Sequence, residues 1–178
     1  MKTRTSSADS ALLVRIVAAF AMLIGAQASA HADGRVLQPR QVLPAYQQEC
    51  ASCHLAYPPG LLPASSWSRM MSGLDKHFGT DAALDAATTH QIGAWLQTHA
   101  GTYKRVSQAP PQDRITRSAW FERKHRKIAP AVWQHASVKT AANCAACHTG
   151  AAQGDFDDDR LRFPPGLDKR YQDAFRDD

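Results

Sequence analysis

The chain has 178 residues, a formal net charge of +5 and four cysteines. Two of those charges fall in the first thirty residues. The +3 left on the remainder is too small a positive balance for a nucleic-acid-binding chain.

From the N-terminus, Lys2, Arg4 and Arg15 give a basic lead, Ile16 to Ala26 is an apolar run, and Ala28-Ser29-Ala30 is a small-x-small cleavage signal before His31. This pattern predicts a secretory signal peptide over residues 1–30. The apolar run is too short to span a membrane comfortably, and no cysteine near the cut offers a site for a lipid. The expected mature chain starts near His31 and keeps about 148 residues.

The next signal is Cys50-Ala51-Ser52-Cys53-His54, a C-x-x-C-H. It is the attachment motif of a c-type haem: both thiols add to the vinyl groups of one haem, and the following His is its proximal iron ligand. After it, Ser65 or Ser66 can cap a helix through Trp67, Met70, Met71, Leu74, His77 and Phe78, with Gly79 as its stop. Residues 67, 70, 74 and 77 share one face. A second helix is predicted from near Asp81 through Leu84, Ile92, Trp95 and Leu96 to Gly101.

Ser107-Gln-Ala-Pro-Pro-Gln-Asp113 favours an extended linker. Beyond it, Thr116 can cap a helix through Trp120, Phe121, His125 and Ile128 that Pro130 terminates. A second C-x-x-C-H follows at Cys144-Ala145-Ala146-Cys147-His148. The two motifs use all four cysteines and leave none for a disulfide. Zinc is a poor rival, because the pairs lie more than ninety residues apart and zinc has no need of a His after each pair. A redox dithiol needs one C-x-x-C, in a βαβ setting that the pattern lacks.

The sequence is therefore read as mostly α, with two small cytochrome c-type haem domains. Residues 1–30 are the signal, 31–106 the N-terminal haem domain, 107–114 the linker and 115–178 the C-terminal haem domain. Domains this small have marginal cores alone, and a covalently held haem supplies apolar mass and cross-links. Tyr57-Pro58-Pro59-Gly60-Leu61 and Phe163-Pro164-Pro165-Gly166-Leu167 form a short echo after the two motifs. A turn there is expected to set a carbonyl against the outer nitrogen of each proximal His. Lys and Arg crowd residues 104–127, whereas Asp155, Asp157, Asp158, Asp159, Asp177 and Asp178 make the C-terminal end acidic. Such patches can steer a redox partner or simply form a solvated face.

Each iron needs a sixth ligand if it only carries electrons. His77, at the end of an apolar helical face, is the choice for the first haem, with Met70, Met71, His90 and His99 as alternatives. His125, sharing a face with Phe121 and Ile128, is the choice for the second, with His135 as its rival; no methionine lies in that half. The four tryptophans are read as packing residues.

Trp67-x-x-Met70-Met71-x-x-Leu74-x-x-His77-Phe78-Gly79-x-Asp81-Ala82 resembles the N-terminal half of the dihaem cytochrome c family known as DHC. Trp120-Phe121-x-x-Lys124-His125, Val138-Lys139 and Asn143-Cys144-Ala145-Ala146-Cys147-His148 resemble its C-terminal half. The resemblance covers most of the mature chain. It implies two domains, the first like a class I cytochrome c, each with one low-spin haem held by two histidines. On these positions that means His54 with His77, and His148 with His125. It also implies electron donation to a small high-spin haem protein called SHP.

The expected function is that of a periplasmic electron carrier with two covalently attached haem c groups and a redox protein as partner. No catalytic residues, no nucleic acid and no membrane span after signal cleavage are expected. The alternative is a haem enzyme or gas-binding protein, peroxidase- or sensor-like, with one open or displaceable axial site.

Overall fold

The computed structural model describes residues 37–175; the expected signal peptide, Asp177 and Asp178 lie outside the described residues. Among the described residues all regular structure is helical, apart from two isolated antiparallel bridges, His77 with Thr80 and His148 with Leu161. No described helix is long and apolar enough to cross a membrane.

Helix α1, Pro44–Cys50, starts with a proline whose fixed φ suits the first helical position, and it buries Tyr46. Helix α2, Ala64–Met71, follows Pro63 and buries Ser66 and Trp67. Its end differs from expectation. The predicted helix ran on through His77 to Gly79, but the helix stops at Met71, with Ser72 as its C-cap. Ser72-Gly73 is a poor helical pair, and the Ser72 hydroxyl turns back to the Arg69 carbonyl at 3.0 Å. A single 3-10 turn, Leu74–Lys76, then delivers His77. Phe78 (φ 50) and Gly79 (φ 97) are both left-handed, and the Thr80 N–H closes the turn on the His77 carbonyl at 3.0 Å.

Helix α3, Ala86–His99, begins later than predicted. Asp85 is the cap, accepting from the Thr88 N–H at 2.9 Å and its hydroxyl at 2.6 Å. Asp81 instead accepts from the Ala83 N–H in a local turn. α3 packs on α2. Ile92 and Leu96 join Tyr46, Ala56, Leu62 and Trp67 in the first core. Each of the larger members contributes about 1.5–3 kcal/mol by leaving water. Gly101 closes this half where nothing larger fits: a Cβ there would lie 2.6 Å from the Gly60 carbonyl oxygen and 2.2 Å from Val106 Cγ2.

The stretch 107–114 is not simply extended. Pro111–Asp113 makes a 3-10 turn with Gln112 and Asp113 at positive φ. Asp113 is held against α2 by a bidentate pair to Arg69 at 2.9 and 2.6 Å.

The second half is built from shorter pieces. Helix α4, Ala119–Lys124, is capped by Ser118 rather than Thr116, its hydroxyl accepting from the Phe121 N–H at 3.2 Å. α4 ends before His125, which takes the C-cap position. Pro130 opens a new helix, α5, Pro130–Gln134, instead of terminating the old one. The second core is small: Val132, Val138, Ala146 and Leu167, flanked by Trp133, Phe163 and Phe175.

Candidate haem centres

Cys50 ends α1, and Cys53 and His54 follow in the turn after it, so one bend presents both thiols and the imidazole. They line a cavity of about 460 Å³, whose walls also include Trp67, Met70, Met71, Leu74 and His77. That volume is in the range of cofactor pockets. The ring centroids of His54 and His77 are 6.0 Å apart and only 23° from parallel. Imidazole nitrogens bind metals at about 2.0–2.1 Å, so two rings facing one metal have centroids about 6 Å apart. The spacing fits one iron.

His54 Nδ1 is 2.7 Å from the Leu55 carbonyl, an acceptor, so Nδ1 carries the proton and Nε2 is left as the metal-binding atom. The expected donor of this carbonyl was the Pro-Pro-Gly turn. That turn serves the fold instead: Pro59 O accepts from Trp67 Nε1 at 2.8 Å, and Gly60 O accepts from the Tyr103 hydroxyl at 3.0 Å. Burial holds His77 below the ordinary imidazole range, with His54 and Arg114 adding to it. Of its alternatives, Met70 and Met71 also line the cavity, whereas His99 does not: its Nδ1 lies 2.8 Å from the Trp95 carbonyl. His90 is exposed.

At the second centre Cys144–Ala146 form a 3-10 turn that leads to Cys147 and His148. The His125 and His148 centroids are 6.2 Å apart, again the spacing of one metal, but the rings are near perpendicular at 75°. His125 Nδ1 is 2.9 Å from the Phe121 carbonyl, and its ring stacks on Phe121 at 4.0 Å. Being at the C-cap of a six-residue helix is what points it back along α4. His148 differs from His54, because its Nδ1 is buried with no hydrogen-bond partner. Burial lowers the pKa of both His125 and His148. His135 faces elsewhere, with Nδ1 2.7 Å from the Ser137 hydroxyl.

Burial pushes the Cys50 and Cys144 thiols up to about 11 and raises Cys147, so they are neutral thiols until thioether bonds form. The structure thus brings together both cysteine pairs and both histidine pairs. Sequence reasoning missed the packing around them. Tyr46 donates to the Tyr57 carbonyl at 2.5 Å, and Arg114 covers the Phe78 ring at 4.2 Å beside His77. Only the aromatic residue before Pro-Pro-Gly offered any signal for Tyr57.

A helical chain with two such centres defines a c-type cytochrome that carries more than one covalent haem. Residues 46–156 match the family model described as dihaem cytochrome c, DHC, and the chain belongs to that family. It carries two covalently attached haem c groups and serves haem-based electron transfer. The crystal structure of DHC purified from Rhodobacter sphaeroides is 42% identical, with a TM-score of 0.57 over 65% of this chain and 98% of that one. The diheme cytochrome type c of Shewanella baltica OS155 is 37% identical, with a TM-score of 0.61 over 70% of this chain and 94% of that one. No match was found among curated protein sequences.

Proposed function

We propose that this dihaem cytochrome is an exported, periplasmic carrier that passes single electrons to a small haem protein of the SHP kind and catalyses no reaction of its own. One observation carries the reading: each Cys-x-x-Cys-His turn is met by a second histidine ring one metal's width away, at 6.0 and 6.2 Å. Two histidines at each centre would hold the iron between them and would leave no open position for a substrate or gas. The leader expected over residues 1–30 supports export, and the family resemblance supports the SHP partner.

Cys50 and Cys53 would hold one haem by thioether bonds, and Cys144 and Cys147 the other. His54 and His77 would ligate the first iron, and His148 and His125 the second. When bound, the haem supplies reversible one-electron chemistry at iron. The residues keep that chemistry simple. Burial disfavours the imidazolium form of His77, His125 and His148, so each neutral ring keeps one nitrogen lone pair to offer a metal. The Leu55 and Phe121 carbonyls fix the rings of His54 and His125.

The test is the absorption spectrum of the reduced protein with and without carbon monoxide. Both haems are expected to be low-spin at neutral pH and to leave the gas unbound. His77→Ala and His125→Ala are each expected to turn one of the two haems high-spin and open it to the gas. Strong binding by the unmodified protein would sink the carrier reading, and a variant in which both haems stay low-spin would remove that histidine from the ligand set.

A further inference from the structure

Tyr57 stands where the two centres meet. Its ring lies 5.0 Å from that of His54. Its hydroxyl donates to the backbone carbonyl of Ala142 at 2.7 Å, across 85 residues of chain. Ala142 is two residues before Cys144, and its carbonyl is 3.7 Å from the Cys144 sulfur. Ala142 and Cys144 also line the cavity formed around Cys50, Cys53 and His54. One side chain therefore touches the proximal histidine of the first centre and the attachment segment of the second.

Tyr57 is itself held in place. The hydroxyl of Tyr46, which is 2% exposed, donates to its carbonyl, and Pro58 and Pro59 behind it are buried. The residue before a proline has restricted backbone freedom, and the hydroxyl bond to Ala142 fixes the far end of the ring. Burial pushes the Tyr57 phenol up to about 12. It remains a protonated donor at any ordinary pH.

We propose that Tyr57 is a positioning residue that sets the separation of the two haem centres and so the rate at which an electron passes between them. This rests on the two-haem carrier reading. The phenol neither gains nor loses an electron or a proton; the electron given up at one centre is the one taken up at the other. Tyr57 contributes by holding residues 142–144 against the wall that His54 also forms.

The test uses the full chain with both haems. Tyr57→Phe keeps the ring beside His54 and removes only the hydroxyl; Tyr57→Leu removes the ring as well. After flash reduction, transient absorption reads how fast the electron redistributes between the haems, and hydrogen exchange reads the protection of residues 142–148. Losing one neutral hydrogen bond is expected to lower that protection about fivefold in Tyr57→Phe. Redistribution is expected to slow in Tyr57→Phe and to slow further in Tyr57→Leu. A redistribution rate in Tyr57→Phe equal to that of the unmodified protein overturns the proposal, whatever the protection shows. Gas binding by the unmodified protein would instead defeat the carrier reading, so the two failures are distinct.

Discussion

The first and second haem centres share a motif and a metal-sized histidine spacing, but they are supported differently. Around the first, α2 and α3 pack directly, and Tyr46, Trp67, Ile92 and Leu96 fill a core made of the chain's own side chains. His54 is exposed at the rim and hydrogen-bonded. Around the second, two short helices and a series of single turns enclose a core of four small or medium residues. His148 is drawn in, and its Nδ1 has no partner. The carboxylates beside it, Asp155 and Asp158, are paired to Arg160 and Lys124 at 2.8 and 2.9 Å. A bound haem would therefore add proportionally more buried apolar mass to the second half than to the first. A region with so little regular structure cannot offset its chain entropy by side-chain burial alone.

The largest expected effect comes from removing one haem. Cys144→Ser with Cys147→Ser should lower the haem content from two to one per chain. Hydrogen exchange should then show Val132 and Val138 losing protection while Ile92 and Leu96 in α3 keep theirs. If the second half stays protected without its haem, the contrast drawn between the halves is broken.

Core truncations sharpen it. Phe121 is 8% exposed and stacks on His125, so Phe121→Ala should cost about 3–5 kcal/mol and also weaken the low-spin spectrum of one haem. Ile92 is fully buried but lies away from the cavity, so Ile92→Ala should cost about 2–5 kcal/mol and leave both spectra alone. Denaturant unfolding followed at the haem bands and by circular dichroism reads both effects. Equal spectral changes in the two variants would mean that the cores and the haem centres are not separable in this way.

The smallest effect belongs to the connection between the halves. The Arg69 guanidinium holds the Asp113 carboxyl below its ordinary 3.8. A depressed carboxylate stabilises the fold above that value, and the stabilisation is lost as pH falls through the folded-state value. Asp113→Asn should therefore lower the urea midpoint slightly at neutral pH, because the Arg69 end of the pair is open to solvent. The gap to the unmodified protein should close below pH 3.8. A gap that persists in acid would assign the effect to the paired hydrogen bonds that Asp113 accepts from Arg69 rather than to the charge.

Helical content and the identity of the chemistry were readable from local patterns. C-x-x-C-H is contiguous, so no folding is needed to recognise it, and the apolar spacing placed Trp67, Ile92 and Leu96 in helices and in the core. The helix ends were read less well. Periodicity alone ran the second helix of the structure on to His77 and the fourth on to Ile128, because a short turn continues a helical face after the helix has stopped: the 3-10 turn Leu74–Lys76 in one case, and the turn closed by the Ile128 N–H on the His125 carbonyl in the other. The caps at Asp85 and Ser118 were missed for the same reason: a short polar residue nearby was equally able to cap until the backbone was placed.

What the sequence determined by itself, then, is local: two thiol pairs, two proximal histidines, a helical chain and its family. Tertiary structure alone decided that the paired rings lie near parallel at the first centre and near perpendicular at the second, that His54 is hydrogen-bonded where His148 is bare, and that Tyr57 reaches Ala142. The physical reason is range. Attachment chemistry depends on neighbours along the chain, whereas ring spacing, burial and the Tyr57 contact depend on segments as far as 85 residues apart being packed to within a hydrogen bond's length.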